Sequence, residues 1–130
     1  MPHSPDNSLH LVADIEGARG LDDCAAIEAI LREAAAAARA RVLDVRLHPF
    51  GPGMGVTGVA LLAESHISIH TWPEHGLAAV DLFVCGVRAD AEAGLAVIVR
   101  KLGGRVRGRR AIRRFADVGR EEVLQGVTTP

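Results

Sequence analysis

The sequence predicts an α+β two-layer sandwich, an antiparallel sheet with two helices on one face. Three observations predict it. The hydrophobic period switches between two and about 3.6 along the chain, so strands and helices follow one another. The central strands are joined by only a few residues, which requires antiparallel pairing. Hydrophobic residues make up 48% of 130 residues, enough for the core of one domain spanning 1–130.

The first seven residues, "MPHSPDN", are expected to form a disordered tail. "SLHLVADI" places Leu9, Leu11, Ala13 and Ile15 on one face, the signature of a half-buried strand. "EGARG" ends it. From Leu21 the spacing becomes helical: Leu21, Cys24, Ile27, Ile30, Leu31, Ala34, Ala35 and Ala38 form one apolar stripe. A helix of roughly five turns is expected, with Asp22 and Asp23 in its first turn, where carboxylates favour the helix dipole. Cys24 falls on the stripe and reads as core.

"RVLDVRLHPF" alternates Leu43, Val45 and Leu47 with Asp44, Arg46 and His48. "GPGMG" is a loop. "VTGVALLA", "HISIHTW" and "LAAVDLFVC" read as three strands, with "PEHG" turning between the last two. "ADAEAGLAVIVRKL" returns to helical period and stops at Gly103-Gly104. "RVRGRRAIRRF" suits a final strand, and the tail from Ala116 is weakly patterned. Helices on one sheet face leave the other uncovered. A second copy is the simplest cover, so a four-layer homodimer packed sheet to sheet is expected. The faces of Leu43, Val45, Leu47 and of Val80, Leu82, Val84 are apolar enough to need burial.

Fifteen Lys and Arg against sixteen Asp and Glu leave a net charge of −1, which argues against a dedicated polyanion binder. No apolar run reaches the roughly 18–20 residues of a membrane span. The N-terminus lacks the order of a signal peptide, so a cytoplasmic location is expected. Two cysteines in such a chain read as thiols. Arg100 to Arg114 holds eight cations and no acid. It could touch nucleic acid, but an edge strand guarded by charge explains it better. No nucleic-acid or membrane partner is expected.

Polar chemistry is concentrated in "ESHISIHTWPEHG", Glu64 to Gly76. It holds two carboxylates, two serines, three histidines and the single tryptophan. On a strand, His66 and His70 would share a face about 13 Å apart, too far for one metal ion, so no metal site is expected. His75 reads as a solvated turn residue, and His66 could line a site. Ser65 beside Glu64, with His70 nearby and Cys85 closing the next strand, could instead serve nucleophilic chemistry. Alone, Ser65 would be a strand-end serine and Cys85 inert packing. Their clustering around one turn keeps both readings open.

"ESHISIHTWPEHGLAAVDLFVCG" resembles the processing segment of the small bacterial and archaeal S-adenosylmethionine decarboxylase proenzymes. "HLVADI" and the helix after it match as well. The resemblance implies self-cleavage between Glu64 and Ser65 into 1–64 and 65–130, with Ser65 becoming a covalent pyruvoyl group. The group's carbonyl would condense with the amine of a small-molecule substrate and draw electrons from the departing carboxylate. By position, His70 and Thr57 match processing residues, Thr57 standing where a serine is usual. Cys85 matches the acid that protonates the substrate carbon. Glu74 matches a ribose-binding carboxylate, and Phe50 an aromatic that stacks on adenine. "PEHGLAA" lacks the two tyrosines of the usual "PEYGYAA". This opens the alternative of an ornithine or arginine decarboxylase using Glu74 or Asp81 against a side-chain cation. A non-catalytic partner subunit is a third reading, opposed by the presence of Ser65, His70 and Cys85 together. Strict alternation sets Ser65 and His70 on opposite faces, so the strand is expected to bend or to begin after Ser65.

Overall fold

In the computed structural model, which describes residues 3–118, six strands form one antiparallel sheet in the order β2-β3-β4-β5-β1-β6. The elements are β1 (Ser8–Glu16), α1 (Cys24–Ala37), β2 (Val42–Pro49), β3 (Val56–Leu62), β4 (Ser65–Trp72), β5 (Leu77–Cys85), α2 (Ala91–Leu102) and β6 (Arg105–Arg114). The short loops β2–β3, β3–β4 and β4–β5 build a meander. The two helices carry the chain back, so that β1 lies between β5 and β6.

Both helices cover the same face. Leu11, Ala13 and Ile15 of β1, Ile67 and Ile69 of β4, and Ala78, Val80, Leu82 and Val84 of β5 point into one core with Ile27, Leu31, Leu95 and Ile98. Small residues bring the helices together. A Cβ on Gly94 would lie 2.9 Å from Leu82 and 3.1 Å from the Ala34 carbonyl oxygen, so the alanine run of α1 is a packing surface for α2. Asp23 caps α1 by accepting from the Ala26 N–H at 3.0 Å, and Asp90 caps α2 likewise through Ala93. Gly103 closes α2 in the left-handed conformation, φ 70°.

Four expectations are corrected. α1 starts at Cys24 and has 14 residues, about four turns; Asp22 and Asp23 precede it because Asp23 is the cap. Residues before β1 are ordered from His3 onward, with a 3₁₀ turn at Pro5–Asn7 whose last carbonyl accepts from the Gly86 N–H at 3.2 Å. Val80, Leu82 and Val84 are covered by the chain's own helices. Leu43 is 60% exposed, because a register shift between Val42 and Asp44 removes it from the face of Val45 and Leu47. The tail beyond 118 lies outside the described residues. Among those residues, no helix is long and apolar enough to cross a membrane.

Candidate active site

The helix-free face carries the polar chemistry, and strand register decides which residues meet. Side chains there stand in rows across the sheet. His48, Thr57, His70, Ala79 and Asp14 form one row; Arg46, Val59, Ser68, Asp81 and Val12 the next; then Leu61, His66, Phe83 and His10. Cys85 and Ser8 end the series.

At that end, Ala63 and Glu64 make the two-residue turn between Leu62 and Ser65, which are paired. Glu64 has φ 67°, a left-handed conformation that costs an ordinary L-residue about 1–2 kcal/mol. Ser65 is half-buried, and among the described residues its hydroxyl makes only a long 3.5 Å contact to the Ala63 carbonyl. Continuing the β4–β5 register one and two steps past His66–Phe83 sets Ser65 beside Val84 and Glu64 beside Cys85. The Cys85 Sγ lies 3.5 Å from the Ser8 Oγ, and Ser8 is 4% exposed.

In the middle, Ser68 Oγ donates to Asp81 Oδ2 at 3.1 Å. His66 stacks on Phe83, with ring centroids 5.4 Å apart, and His10 meets the same ring edge-on at 5.7 Å. The His10 Nε2 is buried and has no hydrogen-bond partner among the described residues.

At the opposite end is an aromatic group. Phe50 packs edge-on against His48 (5.1 Å) and tilts over His70 (5.8 Å), which in turn meets Trp72 (4.4 Å). Thr57 stands opposite His70. Glu74 and His75 are exposed in the 3₁₀ turn after Trp72. Two clefts open on this half of the molecule. One of about 520 Å³ is bordered by Arg46, His48, Thr57 and Ser68. The other, of about 330 Å³, lies by Trp72, Asp14 and Arg107. Both have the size of small-molecule sites, and neither reaches Ser65 or Cys85.

The candidates therefore fall into two groups. Ser65, Glu64 and Cys85 sit at one end; Phe50, Thr57, His70 and Glu74 gather at the other. β4 begins at Ser65 itself, so Ser65 and His70 keep opposite parity. They are five residues apart along a strand, roughly 16 Å. The expected bend is absent. Sequence reasoning missed Ser8 and the stack of His66 on Phe83, because neither contact exists before the register is set. It also missed Thr71, 1% exposed. The Thr71 hydroxyl donates to the Leu21 carbonyl at 2.7 Å and accepts from the Val56 N–H at 2.9 Å, tying β3 and β4 to the segment before α1.

Comparison with known proteins gives a consistent result. A family model described as S-adenosylmethionine decarboxylase matches residues 9–115. The S-adenosylmethionine decarboxylase proenzyme of Thermomicrobium roseum is 44% identical over 89 residues, 68% of this chain and 77% of that one. The corresponding proenzyme of Parasynechococcus marenigrum is 46% identical over 115 residues, 85% of this chain and 88% of that one. The crystal structure of the adenosylmethionine decarboxylase of Aquifex aeolicus superposes with a TM-score of 0.75 at 36% identity, over 85% of this chain and 92% of that one.

Proposed function

Because the chain belongs to the S-adenosylmethionine decarboxylase family, we propose that it cleaves itself between Glu64 and Ser65 and then decarboxylates S-adenosylmethionine, a step toward spermidine. The observation that carries the reading is the turn itself: Ser65 opens a strand directly behind a left-handed Glu64, with Cys85 on the neighbouring strand. In the first step the Ser65 Oγ adds to the Glu64 carbonyl carbon. The C–O bond forms as the peptide C–N bond breaks, and the Ser65 nitrogen takes a proton. Loss of the Ser65 α-proton then breaks the Ser65 Cβ–Oγ bond and expels the α-carboxylate of Glu64, and addition of water to the remaining enamine, as its imine, releases ammonia and leaves the ketone.

The residues fit the resulting pyruvoyl group. Ser65 is half-buried, its hydroxyl makes only one long contact, and a thiol lies on the adjoining strand. When present, the group supplies a carbonyl that accepts the substrate amine and the electrons left by carbon dioxide. The chain's own groups do the rest. Cys85, oriented by Ser8, delivers a proton to the substrate carbon. Phe50, with His48 and His70 beside it, offers a ring face to adenine, and Glu74 accepts from the ribose hydroxyls. This aromatic group suits the stacking of a nucleobase.

The separation of the two groups supports a shared site. The helix-free face exposes Leu61 (45%), Ile112 (45%) and Trp72 (40%), an apolar surface suited to a second copy. A twofold axis lying between two such sheets and crossing their strands brings the Ser65 end of each copy onto the His70 end of the other. His70 and Thr57 of one copy then face the Glu64–Ser65 turn of the other, whose Glu64 and Cys85 lie on the helix-free side by register, and Phe50 and Glu74 bind its substrate.

The test is to measure carbon dioxide release from S-adenosylmethionine, ornithine and arginine side by side, with mass spectrometry of the same samples. The expected result is fragments of 64 and 66 residues, the second blocked at its N-terminus, and turnover of S-adenosylmethionine alone. An uncleaved chain, or release only from an amino acid, would overturn the reading.

A further inference from the structure

The segment before β1 crosses the processing turn. The His3 backbone N–H donates to Glu64 Oε1 at 2.9 Å, and its imidazole Nε2 lies 3.5 Å from Glu64 Oε2. The imidazole also rests on Gly86: a Cβ there would stand 2.9 Å from the ring, and Gly86 has φ 104°. The segment is anchored behind His3 as well. Gly86 N–H donates to the Asn7 carbonyl at 3.2 Å, and Arg113 donates to the Asp6 carbonyl at 3.1 Å. His3 is thus fixed between the end of β5 and the one carboxylate attached to the residue that is cut.

Glu64 is where such a hold has an effect. It is a non-glycine residue at φ 67°. A left-handed L-residue persists only when its surroundings over-determine it. The turn from Leu62 to Ser65 supplies part of that constraint. The grip on the carboxylate supplies a second part from outside the hairpin, across 61 residues of sequence. The dihedral at Glu64 orients the plane of the peptide that follows it, the bond between Glu64 and Ser65.

We infer that His3 is a positioning residue for self-cleavage: by holding the Glu64 carboxylate it keeps Glu64 left-handed and presents the Glu64 carbonyl to the Ser65 hydroxyl. The inference rests on the cleavage reading above. It gives the N-terminal segment a role in maturation, while the chemistry of turnover stays with Ser65 and Cys85. Gly86 belongs to the device, because any side chain there would displace the imidazole.

The experiment is a double-mutant cycle on the rate of processing. Newly synthesised full-length chain from a cell-free system is followed by mass spectrometry as it converts to the two fragments. The variants are His3→Ala, His3→Gln, Glu64→Gly, and His3→Ala combined with Glu64→Gly. Glycine reaches φ 67° without cost, so Glu64→Gly removes both the grip and the need for it. The expected result is that His3→Ala, which keeps the backbone N–H on Glu64 and removes only the imidazole lying 3.5 Å from its carboxylate, slows cleavage about two- to five-fold, the scale of one polar contact near the surface. His3→Gln, which keeps a side-chain donor, should recover at least half of the rate. In the Glu64→Gly background, His3→Ala should change nothing. An unchanged rate in His3→Ala overturns the inference. So does an equal slowing in both backgrounds, which would make His3 a general support of the fold. Failure of the wild-type chain to cleave at all is a separate outcome that removes the processing reading and the inference with it.

Discussion

At Glu64 and Ser65 two adjacent residues carry different burdens, one a left-handed backbone conformation and the other, in the proposed cleavage, the nucleophile. Ser65→Ala should abolish both cleavage and decarboxylation, because no other hydroxyl lies at the scissile bond. Cys85→Ala should leave the two fragments forming on gels while lowering kcat by about 10²–10⁴-fold, the usual worth of a placed acid. If the Cys85 variant turned over normally, the thiol would have no part in the reaction. Phe50 is 45% exposed and stands at the head of the aromatic group. Phe50→Ala should raise KM for S-adenosylmethionine by roughly 5- to 150-fold, matching about 1–3 kcal/mol for one base stacked on one ring. A flat KM would return the amino-acid substrates to consideration. The candidates Ser65, His70, Glu74 and Cys85 could be named from the sequence through a contiguous motif, and Phe50 and Thr57 by their position in the resemblance. Ser8 and His3 were not. Each makes its contact across more than 60 residues of chain, with Cys85 and with Glu64, and no local pattern records such a contact.

The secondary-structure elements were read with few errors, and those errors share a cause. Strands β1, β3, β4 and β5 alternate without interruption, so period alone finds them. α1 was drawn too long because its apolar stripe continues upstream into Leu21, which is buried but not helical. β6 is exposed along its whole length, so what holds it is its edge pairing to β1 and a few ion pairs. Arg109 forks onto Glu92 in the first turn of α2. Its guanidinium holds the Glu92 carboxyl below the ordinary value of 4.5. A lowered carboxylate pKa means the pair adds stability above pH 4.5 and loses it as pH falls through the lower, folded value. Arg109→Ala should therefore reduce Tm at pH 7 by no more than about 3 °C, as expected for an exposed pair. The difference between variant and wild type should close in strong acid. A gap that persists there would mean Arg109 acts through packing. Gly94→Val gives a check on the core. Its added carbons meet Leu82 and the Ala34 carbonyl, so it should cost about 1–3 kcal/mol in denaturant unfolding.

For the whole molecule, the two groups of candidate residues at opposite ends of one sheet make the proposed dimer the arrangement to test. In the proposed arrangement two copies join across their helix-free faces as a four-layer dimer, and each shared site would take the Glu64–Ser65 turn and Cys85 from one chain and His70 from the other. Complementation tests this arrangement. A His70→Ala chain alone should process slowly, and a Ser65→Ala chain not at all. Co-expressed, the partner's His70, intact in the Ser65→Ala chain, should restore cleavage of the His70→Ala chain. Light scattering should show a dimer at micromolar concentration. A monomer there, or no rescue in the mixture, would require His70 to act within its own chain, across roughly 16 Å of strand.

The sequence by itself determined the fold class, the strand and helix order and the identity of the chemical groups, since period and motif are local and survive without coordinates. Tertiary structure decided where those groups stand. A strand displaces each residue about 3.3 Å from the last and turns it to the other face. Ser65 and His70, neighbours in the motif, therefore end at separate places on opposite faces. Ser8 and Cys85, 77 residues apart, come within 3.5 Å. Which residues share a site depends on register and on the order β2-β3-β4-β5-β1-β6, and both are set by how the whole core packs, not by any one segment.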